Sequence, residues 1–251
     1  MLAAIVATAV IALAGCGRDG AAPTVEDVAV MQGVGFDLRP FDASTGRAGA
    51  LQIDGVQPPF EEGIENDPKA VAHNDRIRYL FLPFGWGGEA GRDPQWNFVL
   101  PLGTPVTSLV DGLVCEVPRL YSGDFSVRVA ARGTDCGDGV YFETEHVEDP
   151  LVQPGDEVRA GQRVASVSSY QQDWSRLGFG IVEIGVQVPS GKSGRPIHVC
   201  PTLLFDPSVR DQLIADLRSV MEAWSAESGD PGLYAAADVP ATGCFVDQVE
   251  E

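Results

Sequence analysis

Between Trp96 and Val188 the chain falls into short apolar or alternating runs: Pro105 to Val110, Leu113 to Val117, Phe125 to Ala130, Val140 to Glu145, Arg163 to Val167 and Ile181 to Val188. A helix needs apolar residues at three- and four-residue spacing over a longer stretch, so runs this short between turn signals predict strands. The turns are defined by Pro101-Leu-Gly-Thr-Pro-Val106, Asp111-Gly-Leu-Val114 and Val152-Gln-Pro-Gly-Asp-Glu-Val-Arg-Ala-Gly-Gln-Arg-Val164. Asp111-Gly112 is a hairpin-type pair, because glycine accepts positive φ without steric cost, and Gly155 and Gly161 serve in the same way. The expected class is mainly β, a small sandwich or barrel over residues 96–205.

Four other segments flank it. Residues 1–16 form an uncharged apolar run ending in Leu13-Ala-Gly-Cys16, too short to span a bilayer, which needs about 20 residues. That ending resembles the lipobox of bacterial lipoprotein signal peptides, which implies export, lipidation of Cys16 and attachment to a membrane surface. Residues 17–40 are small and acidic and predict a tether. Residues 41–95 are rich in Gly and Pro around a β-type run from Arg76 to Leu82, and predict an irregular lead-in packed on the main domain. In residues 206–251, Asp206-Pro207 predicts a helix start, with Asp as cap. Val209, Leu213, Ile214, Leu217, Val220, Met221 and Trp224 form one apolar stripe ahead of Gly229. The tail from Gly232 reads as coil pinned by Cys244.

With Cys16 set aside, Cys115, Cys136, Cys200 and Cys244 remain, an even number in an exported chain, and two disulfides are expected. Three pairings are possible; sequence proximity favours Cys115 with Cys136 and Cys200 with Cys244. The formal charge of −19 argues against nucleic acid as a partner.

The Pro101 to Val106 turn, the Val152 to Val164 segment, and Tyr141 to His146 ahead of Val152-Gln-Pro-Gly155 resemble LytM/lysostaphin-type zinc peptidases (duplicated hybrid motif), which cut peptidoglycan cross-links. The resemblance covers roughly Trp96 to Pro207. It implies zinc held by the His and Asp of a His-x-Gly-x-Asp segment and by one His of a His-x-His strand, with other histidines activating water. Counting back from Pro101, the first His position falls on Asp93, the Gly on Gln95 and the Asp on Asn97. The last motif lies on Phe179-Gly-Ile-Val-Glu-Ile184, which puts Phe179 and Ile181 in the histidine places and keeps Glu183 in register. Sliding by two puts Glu183 on the zinc position and Ile181 on the catalytic one.

Three histidines are present, His73, His146 and His198, and only His146 stands at a family position. An oxygen-rich set of Asp93, Asn97 and Glu183 would suit Ca²⁺ or Mg²⁺ better than zinc. Biotinyl and lipoyl carrier domains share the Gly-Asp-x-Val-x-x-Gly turn, but the Asp111-Gly-Leu-Val114 hairpin has no lysine to carry a group. The expectation is a lipid-anchored envelope protein, periplasmic or at the cell surface, with a degenerate LytM-like domain. No metal, cofactor or catalytic residue is assigned. The resemblance implies peptidoglycan binding or regulation of a cell-wall hydrolase, since families with such degenerate domains include activators of amidases that remodel the wall. His146, Tyr141, Asp93, Asn97, Glu183, Phe179 and Ile181 would line the cleft. The alternative is a zinc peptidase with atypical ligands such as Asp93, His146 and Glu183.

Overall fold

The structure is a computed structural model that describes residues 30–39, 79–88, 91–170, 172–189, 196–234 and 243–250. Cys16 and residues 40–78, His73 among them, lie outside the described residues.

The strands are β1 (Phe81–Leu82), β2 (Gly87–Gly88), β3 (Gly91–Arg92), β4 (Trp96–Pro101), β5 (Pro105–Thr107), β6 (Gly112–Glu116), β7 (Phe125–Ala131), β8 (Tyr141–Glu148), β9 (Glu157–Val158), β10 (Arg163–Val167), β11 (Phe179–Pro189), β12 (Pro196–Val199) and β13 (Gln248–Glu250). Most belong to one antiparallel sheet ordered β1-β4-β11-β8-β7-β6-β9, with β10 joining β5 to β8 and β12 joining β11 to β13. The architecture is mainly β, as the turn-punctuated runs require.

Strand β11 organises the molecule because it pairs with β4, β8 and β12. Successive side chains of a strand point to opposite faces. Val182, Ile184, Val186 and Val188 go into the core with Trp96, Phe98 and Phe142, each fully buried aliphatic side chain stabilising the fold by ~1.5–3 kcal/mol. Phe179, Ile181, Glu183, Gly185 and Gln187 take the opposite face, which carries polar groups on the neighbouring strands.

Helix α1 is one short turn (Gln172–Ser175), and α2 (Arg210–Glu227) is the expected amphipathic helix, burying Leu217, Val220, Met221 and Trp224. Its start differs from expectation. Asp206 does not cap the helix: its carboxylate accepts from the N–H and hydroxyl of Ser208, closing a preceding turn, and Val209 stands at the cap without a side-chain bond. Among the described residues no helix is long and apolar enough to cross a membrane.

Two segments are more structured than their composition suggests. Residues 30–39, read as the end of a tether, bury Met31, Val34, Phe36 and Leu38, with Phe36 edge-on to Phe98 at 4.8 Å. Their apolar side chains fill the domain's own core, which outweighs the small, polar character of the stretch before them. The tail read as coil returns as β13, pairing Val249 with His198, and Gly243 accepts a hydrogen bond from the Trp96 indole at 2.9 Å. Disulfides join Cys115 to Cys136 and Cys200 to Cys244, the pairing that sequence proximity favours.

Candidate functional site

Cross-strand neighbours share a face. Glu183 stands opposite Asn97 of β4 on one side and Glu145 of β8 on the other, while Gly185 stands opposite Glu143. The sheet face away from the core is therefore a floor of amides and carboxyls. Glu143 is fully engaged: it accepts from Ser126 at 2.8 Å and from Gln187 at 3.0 Å, and it is paired with Arg128. Arg128, its charged form favoured by Glu143 and Glu116, makes its other contact with Glu116. Among the described residues, Glu145 and Glu183 have no Lys or Arg within ion-pair distance.

Burial and neighbouring negative charge favour the proton-bearing form of Glu145 and Glu183 near neutral pH. Glu183 is pushed up to about 8, first by desolvation and then by Asp93, Glu143 and Asp124. Glu145 is also pushed up to about 8, by desolvation and then by Glu143, with Gln95 acting the other way. Asp93 is raised by burial, against hydrogen bonds from the Gln95 N–H at 3.0 Å and from Asn97 Nδ2 at 2.9 Å.

His146 is held on three sides. Its Nδ1 lies 3.0 Å from Asp124 Oδ2, and since a carboxylate only accepts, Nδ1 carries the proton. The same Asp124 oxygen accepts from Ser168 at 2.7 Å, and its other oxygen accepts from Ser122. Tyr170 stacks on the imidazole at 3.8 Å. Burial lowers the histidine's pKa despite the pull of Asp124, so near neutral pH the lone pair of Nε2 faces Glu183 Oε1 at 3.6 Å.

His146 has a φ of 59°, rare outside glycine. Strand β8 leaves β11 at Glu145 and joins β10 from Val147 onward. The left-handed residue at that crossing breaks the alternation, so Glu145 and His146, consecutive in sequence, both reach the Glu183 side. Close approach at Gly180 fixes the opposite wall: a Cβ there would lie 2.2 Å from the Ser168 carbonyl, so only glycine lets Ser168 reach Asp124.

The structure brings Asp93, Asn97, Glu183 and His146 together. Ile181 is buried on the same face two residues along, and Phe179 lies opposite Pro101, four residues from Glu183. Glu183 pairs with Asn97 and Ile181 with Val99. Tyr141 sits at the far end of β8, its hydroxyl donating to the Cys136 carbonyl at 2.7 Å. His198 is buried opposite Gln187. Asp124, Glu145, Ser168 and Tyr170 were not found from sequence. Only the irregular geometry at His146 unites them, and no spacing in the chain announces it.

The donor set does not fit zinc. Asn97, which the sequence resemblance sets at the second ligand position, is an amide whose NH₂ donates into Asp93, set by the same resemblance at the first. His146 lies beside Glu183 and His198 acts on Asp93 from β12, but among the described residues no three His, Cys, Asp or Glu side chains are grouped to hold a metal ion. The face offers hydrogen-bond acceptors, protonated carboxyl donors at Glu145 and Glu183, and the neutral imidazole of His146.

No family model and no curated protein matches the sequence. Solved structures do. The catalytic domain of the antimicrobial peptidase lysostaphin from Staphylococcus simulans is 21% identical over 49% of this chain and 86% of its own, with a TM-score of 0.36. The catalytic domain of a mutant of the prophage-encoded M23 protein EnpA from Enterococcus faecalis is 20% identical over 50% of this chain and 92% of its own, with a TM-score of 0.35. Whole lysostaphin is 19% identical over 57% of this chain and 52% of its own, with a TM-score of 0.38, so this chain spans about half of its length.

Proposed function

We propose that this is an exported, lipid-anchored envelope protein whose LytM-like domain binds peptidoglycan, or regulates a cell-wall hydrolase, without cutting. The observation that carries this reading is the hydrogen bond from Asn97 Nδ2 to Asp93 at 2.9 Å. Two positions that a hydrolytic zinc site fills with lone-pair donors are here bonded to one another, one of them through an N–H. His146, held by Asp124 and Tyr170, and Glu183 lie beside them, an arrangement suited to hydrogen-bonding a peptide. The lipid anchor rests on Leu13-Ala-Gly-Cys16 in the sequence.

The test incubates the full chain with insoluble peptidoglycan and measures co-sedimentation, release of soluble fragments, and zinc content. Co-sedimentation without release and with substoichiometric zinc is expected. About one tightly held zinc per chain with chelator-sensitive release would overturn the reading in favour of the peptidase with atypical ligands. A chain that neither sediments with the wall nor carries zinc would be a scaffold. For the anchor, Cys16→Ser is expected to free the protein from membranes, and unchanged membrane association refutes lipidation there.

A further inference from the structure

The carboxyl-bearing face has more acceptors than the chain itself satisfies. Arg128 is committed to Glu143 and Glu116. Glu183 faces the neutral side of His146 at 3.6 Å and, among the described residues, has no Lys or Arg within ion-pair distance. Asp93, Asp124 and Glu143 add negative charge around it, and His198 faces Asp93 from β12.

A second observation points to a ligand rather than to solvent. Gln95 is only 6% exposed, yet its Nε2 has no hydrogen-bond partner of good geometry. Its amide lies against Glu145 and over Gly185, where a Cβ would meet Nε2 at 3.2 Å. Nε2 carries two N–H groups, and what it gives Glu145 is too weak to count as a full hydrogen bond, so a buried donor is left that calls for an acceptor from outside the chain. At the other side of the site Tyr121 is 94% exposed and stands edge-on to His146 at 6.5 Å. An exposed aromatic ring beside His146, which in turn faces Glu183, offers a cation the face of its π-system.

We infer that the face between Glu145, Glu183 and Tyr121 receives the primary ammonium of a peptide side chain, with Gln95 Nε2 donating to a carbonyl or carboxylate oxygen of the same ligand. An ammonium carries three N–H donors and no acceptor, so on binding it takes the place of the protons that Glu145 and Glu183 hold near neutral pH, and the two carboxyls, released as carboxylates on neighbouring strands, accept from it. A divalent metal would need converging oxygens, and the described residues do not group three such side chains. The inference rests on the wall-binding reading and specifies which chemical group of a wall peptide is recognised.

The test titrates a lysine-containing tripeptide and its Nε-acetyl derivative into the full chain by calorimetry, with a chelator present. The free amine is expected to bind roughly tenfold or more tighter than the acetylated peptide, and Glu145→Gln to remove that preference. Tyr121→Ala, at an exposed position that does not endanger folding, is expected to weaken the free amine selectively. Equal affinity for both peptides, or an unchanged preference in both variants, overturns the inference. So does displacement of the peptide by Ca²⁺ alone or by an N-acetylglucosamine oligomer. Peptidoglycan with its amines acetylated separates the two readings: undiminished binding to it sinks the ammonium site and leaves wall binding intact. Failure to bind untreated wall sinks the wall reading, while the peptide titration still decides the ammonium site.

Discussion

Raising the pH should weaken this fold, and the carboxyl-bearing face sets the size of the effect. A carboxyl whose pKa rises from 4.5 to about 8 on folding keeps its proton in the native state over a window in which the unfolded chain has released it. The native state then binds more protons, so stability falls by about 1.4 kcal/mol per pH unit for each such group. The contribution is complete below pH 4.5 and is lost as pH passes through about 8. An upper bound is about 5 kcal/mol per group; because both acids are partly hydrated and share neighbours, roughly 2–5 kcal/mol for the pair is the working expectation. His146, its pKa lowered by burial, acts oppositely below pH 6.5, so the decline is cleanest from neutral pH upward. The assay is urea denaturation at pH 6, 7, 8 and 9 on the native chain and on a Glu145→Gln, Glu183→Gln variant, which keeps the side-chain shape without the charge. The native midpoint should fall steadily, and the variant should stay nearly level and exceed it at pH 9. Parallel declines in the two proteins, or a flat native profile, would refute the reasoning.

Three further outcomes follow from the packing. Asp124→Ala strips His146 Nδ1 and Ser168 Oγ of their acceptor, and should cost about 1–3 kcal/mol in unfolding free energy while raising the exchange rate of the imidazole proton seen by NMR. Gly180→Ala places a methyl 2.2 Å from the Ser168 carbonyl; it should lower the melting temperature and disturb the His146 resonances, and a variant with unchanged resonances would disprove the close-approach argument. Replacing Cys200 and Cys244 by Ala opens a link spanning 44 residues and should cost about 4 kcal/mol on the chain-entropy account, while a denaturing thiol count on the native protein should find neither Cys115–Cys136 nor Cys200–Cys244 free.

The strand runs, the turn residues between them and the α2 stripe could be read directly from the chain, because strand alternation and helical spacing are local properties of sequence. The even cysteine count and the clustering of short runs likewise sufficed for a disulfide-linked β domain. What could not be read was which polar residues would meet. Glu145 and His146 are neighbours that regular alternation places on opposite faces, and only the positive φ at His146, imposed where β8 changes partners, turns both toward Glu183. Asp124 and Ser168 reach that histidine from 22 residues on either side, a convergence that tertiary packing decides. The tail entered the sheet for a similar reason: hydrogen bonds to the free edge of β12 outweigh the coil tendency of its sequence once the disulfide holds Cys244 beside Cys200. Sequence determined the fold class and the residues available for chemistry. Tertiary structure alone chose which of them share one partly buried, carboxyl-rich surface, because that choice depends on register, on one left-handed residue and on how much water each carboxyl loses.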